Sequence, residues 1–127
     1  MTSELRVDNL KGSTTGGSIN VLGEGTSVTT NLQQGLAKSF IRCPQDGASI
    51  TSSFNITSLT DVSTGRTTVI IANNMADANY TLAECTDENI NQSWCDDIAT
   101  GQYDHDTYDG SSYGDIGKMT QTFGELA

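Results

Sequence analysis

Apolar residues in this chain recur in short alternating runs, and no stretch sustains the i, i+3, i+4, i+7 spacing of an amphipathic helix. Thr, Val and Ile cluster in pieces bounded by Gly, Asn, Asp and Ser, the composition of short strands joined by turns. The clearest signal runs from Ser53 to Thr60, through Asp61-Val62-Ser63-Thr64-Gly65, and on to Arg66-Thr67-Thr68-Val69-Ile70-Ile71. This reads as a β-hairpin. Phe54 and Ile56 share a face by period-two alternation, the Asp/Ser/Gly cluster supplies the turn, and the return strand is β-branched. A third strand is predicted over Ala78–Cys85 and a last one over Lys118–Phe123. Between these, Thr86 to Gly117 is nearly devoid of aliphatic residues, with only Ile90, Trp94 and Ile98 as signals of order. It reads as a long loop or a distorted insertion, and loops of that length in a compact domain are usually functional or disordered.

The first thirty residues alternate loosely through Leu5-Arg6-Val7-Asp8 and Ile19-Asn20-Val21-Leu22, with Gly12, Gly16, Gly17, Gly23 and Gly25 between. Pieces this short and polar do not bury themselves, so the segment predicts an arm that pairs with neighbouring subunits or docks on another protein. A flexible tail is the competing reading. Asn31 to Lys38 fits a short helical turn or a bend, which places the boundary near residue 33. The expected organisation is therefore an arm or stem over residues 1–32 and a β-rich head over 33–127 carrying the loop 86–117. The expected fold is all-β: a short antiparallel β-sandwich or jelly-roll-like module with an extended N-terminal β arm.

Composition changes this picture in two ways. An apolar fraction of 35% lies below the roughly 45–50% of ordinary globular chains, a figure that also counts Gly. The core is thin, and contacts between subunits are the supplement that needs no special residues. Sixteen Asp and Glu against six Lys and Arg give a net charge of −10, which disfavours nucleic acid and anionic membrane surfaces as partners. No apolar run approaches a membrane span, and Met1-Thr2-Ser3-Glu4-Leu5-Arg6 has neither region of a signal peptide. Synthesis in a cytoplasm is expected, and with it reduced thiols at Cys43, Cys85 and Cys95; a Cys85–Cys95 bridge formed later is the alternative.

Candidate chemistry concentrates in the acidic segment. His105 is the single histidine, flanked by Asp104 and Asp106, but no nucleophile motif accompanies it, and no enzyme activity is expected. Asp104, Asp106 and Asp115 fall at positions one, three and twelve of an EF-hand-like loop, with Asp109 between them. Tyr108 and Asp109 break the pattern, which leaves these four as a weak calcium candidate. Neither a cofactor nor a bound metal is expected. Trp94, Tyr103, His105, Tyr108 and Tyr113 interleave with Asn, Ser, Asp and Gly, the mixture of adaptable binding surfaces. These five are the candidate receptor-binding residues. Leu5, Val7, Ile19, Val21 and Leu22 are the candidate docking residues of the arm.

Several segments in order resemble a module of bacteriophage tail-fibre-like structural proteins, found in many marine phages. They are Gly35-Leu36-Ala37-Lys38-Ser39-Phe40, Ser53-Phe54-Asn55-Ile56-Thr57-Ser58-Leu59-Thr60-Asp61 with Gly65, and Met75-Ala76-Asp77-Ala78-Asn79-Tyr80. The closing Phe123-Gly124-Glu125-Leu126-Ala127 and the opening Glu4-Leu5-Arg6-Val7-Asp8 look similar to the ends of such proteins. The resemblance covers residues 35–85 best. It implies a virion structural protein: a small homotrimeric appendage that contacts other virion proteins through its arm and a host-surface glycan or protein through its tip. Capsid decoration, or a head fibre that stabilises the shell, is the alternative expectation.

Overall fold

The computed structural model describes residues 4–14, 19–22, 29–33, 35–44, 47–87 and 92–127. The described residues contain no helix, and the chain divides into two compact units, Met1–Leu36 and Ala37–Ala127. In the first unit, β1 (Asn20–Leu22) and β2 (Thr29–Asn31) form an antiparallel ribbon. Leu32 N donates to Ile19 O to extend it. After β2 the chain turns: Gly35 N and Leu36 N donate to Asn31 O and Gln33 O.

The second unit is a β-sandwich of two four-stranded antiparallel sheets. Its strands in chain order are β3 (Ser39–Cys43), β4 (Ser52–Phe54), β5 (Ile56–Ser63), β6 (Arg66–Ile71), β7 (Thr81–Thr86), β8 (Gln92–Ala99), β9 (Gln102–Tyr108) and β10 (Lys118–Phe123). One sheet has the order β4-β3-β10-β7 and the other β5-β6-β9-β8. The all-β sandwich is the fold that the alternation predicts.

The hairpin forms as β5–β6, but its turn is only Thr64-Gly65, and β5 runs on to Ser63. Phe54 and Ile56 do not share a face, because the chain changes sheet between them. Asn55 makes that corner at φ 57°, a left-handed conformation that Asn tolerates better than most residues. Its side chain fixes the corner: Nδ2 donates to Lys38 O and Asn73 O, and Oδ1 accepts from Asn73 N and Nδ2. Asn55→Ala loses these bonds and keeps the strain. Urea unfolding is expected to show a loss of about 2 kcal/mol, and a change within error would mean the corner relaxes.

The predicted third strand exists as β7, yet it pairs with β10 in the other sheet rather than with the hairpin. The largest correction concerns residues 86–117. Much of this segment is not loop but the β8–β9 hairpin, with β9 lying in the middle of its sheet between β6 and β8. Aliphatic content conceals it. Tyr103, His105 and Thr107 point inward, while Asp104 and Asp106 take the opposite face, so the strand alternates with side chains that hydrophobicity alone does not recognise.

The core grades from apolar to hydrogen-bonded along the strands. Ile41, Val69, Ile71, Met75, Tyr80 and Tyr103 make the apolar part, with Ile56, Leu59, Leu82 and Cys95 packed against it. Towards the Thr64-Gly65 turn the inward positions become Thr67, His105, Thr107, Lys118 and Thr120, all buried. A sandwich with few aliphatic residues is thus completed by hydrogen bonds. Lys118 Nζ donates to Gly65 O, Thr67 Oγ1 and His105 O at 3.0, 3.0 and 3.1 Å. Gly65, at φ 79°, has no room for a side chain: a Cβ there would lie 2.7 Å from Thr107 O.

Candidate functional site

β6, β8 and β9 bring one basic and several acidic groups to the outer face of their sheet. Thr68 pairs with Asp104, Asp96 with Asp104, and Trp94 and Arg66 each with Asp106 in register. Arg66 holds the acids together: Nε lies 2.9 Å from Asp106 Oδ1 and Nη2 2.9 Å from Asp96 Oδ2, with Asp104 and Asp97 at 3.7 and 3.8 Å. Thr68 Oγ1 donates to Asp104 Oδ1 at 2.6 Å. Asp104 and Asp106 are buried although they leave the core face. The hydrogen bond and charge of Asp106, then Asp96 and Asp104, push the guanidinium pKa above its ordinary value, so Arg66 is a fixed cation.

Beside this network stands an aromatic cluster. Tyr113 packs edge-on against Trp94 and Tyr108, with centroids 6.0 and 5.5 Å apart, and forms a β-bridge with Tyr108. The intervening turn is locked by Asp109, whose Oδ1 accepts from Ser111 N, Ser111 Oγ and Ser112 N. Those bonds, the Ser112 backbone first, lower its carboxyl pKa to about 2, so the carboxylate form that holds the turn persists well below neutral pH. Tyr113 is half exposed and Trp94 partly so. Together they form an aromatic rim with one charged side.

The structure therefore divides the five receptor-binding candidates. Trp94, Tyr108 and Tyr113 come together on the rim, whereas Tyr103 and His105 are buried at 0% and 1% exposure and present nothing to a ligand at the surface. Alternation is the reason: Tyr103 and His105 share the inward face of β9. The four calcium candidates do not converge either. Asp104 and Asp106 engage Arg66, Asp109 holds its own turn, and Asp115 Oδ1 accepts from Gly65 N at 2.6 Å. Each already has a donor, so an EF-hand-like site is not assembled. In the arm, Leu5, Val7, Val21 and Leu22 are exposed and Ile19 is partly buried.

Inside the sandwich, His105 meets groups from three other strands. Nδ1 lies 3.0 Å from Thr120 Oγ1 on β10. Nε2 faces Glu84 Oε2 on β7 at 3.5 Å without hydrogen-bond geometry, and so has no partner. Cys95 Sγ on β8 donates to the same Glu84 oxygen at 3.1 Å, and Ser93 Oγ donates to the other at 3.1 Å. Burial first, then the Glu84 hydrogen bond, raises the Cys95 thiol pKa. Burial, helped by Lys118, lowers that of His105 to about 4, so the imidazole is neutral at neutral pH. None of Cys43, Cys85 and Cys95 is in a disulfide.

Sequence reasoning passes over Arg66, Glu84, Lys118 and Thr120. Arg66 carried one usable signal, a cation opening a strand in a strongly acidic chain. The inward Lys118 and Thr120 carried none, because the alternation Lys-Met-Thr-Gln-Thr-Phe favours the opposite face as the apolar one. No protein-family model, curated protein or solved structure matches the chain.

Proposed function

We propose that this chain is a non-enzymatic assembly module of a bacteriophage particle: a small appendage protein that trimerises through its N-terminal unit and offers the Trp94–Tyr108–Tyr113 rim to a host-surface ligand. The observation that carries this reading is the apolar exposure of the N-terminal unit. Leu5, Val7, Leu10, Val21, Leu22 and Leu36 are between 47% and 77% exposed. An isolated two-stranded ribbon is marginal in water, and contiguous exposed apolar side chains mark contact surfaces. Equivalent arms packed about an axis would bury them without any special chemistry. The resemblance of residues 35–85 to tail-fibre-like modules supports the particle context, and the acidic surface suits a crowded assembly.

On the outer face of the β4-β3-β10-β7 sheet, Phe40 stacks on Phe54 at 6.2 Å, both exposed. It is a second surface that packing against a neighbour would cover. The rim suits a glycan or protein ligand, since aromatic rings supply area and Ser111, Ser112 and Asp109 supply hydrogen bonds. The test is to locate the protein in purified particles by mass spectrometry and gold labelling. The expected result is a low copy number on tail or head appendages. Copies spread over the whole shell would favour the decoration role, and absence from particles would overturn the reading.

A further inference from the structure

We propose that Glu84, Cys95 and His105 form an internal binding site for a single divalent transition-metal ion of the zinc class. Three strands of the sandwich deliver them. Register places Cys95 opposite His105 and Glu84 opposite Thr120, so the two pairs meet between the sheets. A carboxylate oxygen, a thiol sulfur and an imidazole nitrogen lie within 4.8 Å of one another.

The separations from Glu84 Oε2 come close to those around a tetrahedral ion. Zinc bonds of about 2.0–2.3 Å put ligand atoms roughly 3.3–3.8 Å apart. Glu84 Oε2 lies 3.1 Å from Cys95 Sγ and 3.5 Å from His105 Nε2, so small side-chain adjustments admit the ion. The second observation is the orphaned nitrogen. His105 is 1% exposed, and Nε2 has no hydrogen-bond partner, an arrangement that carries the desolvation cost of an unpaired buried polar atom. In the tautomer whose Nδ1–H donates to Thr120 Oγ1, the Nε2 lone pair faces the space shared with Glu84 and Cys95. A cation there turns an unfavourable contact between a lone pair and a carboxylate into two bonds.

The outer atoms of two ligands are also held. Thr120 holds the far nitrogen of His105, and Ser93 holds the second oxygen of Glu84. Such outer hydroxyl contacts orient ligands and fix the imidazole tautomer. Charge balances: the ion displaces the Cys95 thiol proton to solvent, and thiolate plus carboxylate neutralise its two positive charges. Softness selects the class, because thiolate and imidazole favour zinc, cobalt and copper over calcium or magnesium. Three protein ligands leave a fourth position for water or a donor from a partner. Glu84, with its side chain 23% exposed, and the partly buried Cys95 are the ligands that solvent reaches, while His105 is enclosed.

The test uses the full-length protein stripped with chelator and titrated with Co²⁺. One equivalent is expected to bind with a thiolate-to-cobalt charge-transfer band and the visible absorption of a four-coordinate ion, and Zn²⁺ should displace it. Cys95→Ser removes the charge-transfer band, and Cys85→Ser retains it. Thr120→Val, nearly isosteric and so able to fold where a His105 variant fails, weakens binding about 10- to 100-fold. Circular dichroism checks that each variant is folded. The proposal is overturned if folded wild-type protein binds no stoichiometric Co²⁺, binds it without a thiolate band, or keeps that band in Cys95→Ser.

Discussion

Lys118→Ala is expected to lower the unfolding free energy by about 4 kcal/mol, a large share of the roughly 5–15 kcal/mol by which small domains are stable. The side chain is 1% exposed, and its ammonium is the shared donor for Gly65 O, Thr67 Oγ1 and His105 O. Truncation strands these acceptors away from water and opens a void the size of three methylenes and an ammonium group. Lys118→Met fills the void but leaves the acceptors, so its cost should be smaller, roughly 2 kcal/mol. Burial lowers the ammonium pKa from 10.5. The unfolded chain keeps this proton to higher pH than the folded one, so the group's contribution to stability rises as pH climbs towards 10.5. Lys118→Met should lose that rise relative to wild type. Urea unfolding followed by circular dichroism at two pH values reads both effects, and equal stability of wild type and Lys118→Ala would show that the bonds carry little.

Arg66→Ala is the second large effect. It removes the cation that faces Asp104 and Asp106, whose side chains are 8% and 1% exposed, together with Asp96 and Asp97. Breaking a buried pair from one side is far costlier than the pair is worth, because the remaining charge stays desolvated. Here two buried carboxylates are left side by side on one strand. The expected result is a fall in Tm on the order of 10 °C, with partial recovery in the double variant Arg66→Ala/Asp106→Asn. Arg66→Lys should recover little, since an ammonium cannot reproduce the forked contacts to Asp106 and Asp96. A fall of under about 2 °C in a thermal melt would mean the network is solvated and contributes as a surface pair does.

Both predictions concern residues that the sequence hid, and the physical reason is the same. Where strands bury aliphatic residues, as at Val69 and Ile71 on β6, alternation identifies them directly. The all-β class and the 56–71 hairpin follow from such runs, while β7 and β10 are legible only as short runs between turn residues. Where inward positions are Thr, His, Lys or Tyr, burial is stabilised by partners on other strands, and no local pattern encodes those partners. The β8–β9 hairpin therefore reads as loop until Arg66, Thr68 and Thr120 are placed beside it. The same limit explains the divided site. Trp94, Tyr108 and Tyr113 were legible as aromatics in a polar segment, but their separation from Tyr103 and His105 depends on strand phase, which a loop assignment erases. Glu84 and Cys95 lie on different strands, and only the sandwich topology brings them to His105.

The reading of this chain as an assembly module rests on surfaces that a single copy leaves uncovered. Sedimentation equilibrium of the intact chain at micromolar concentration tests it most directly. The account predicts the mass of three chains, reduced towards one when Leu5, Val7 and Leu22 are replaced together by serine. A monomer at that concentration, with the β-sandwich folded, would contradict it.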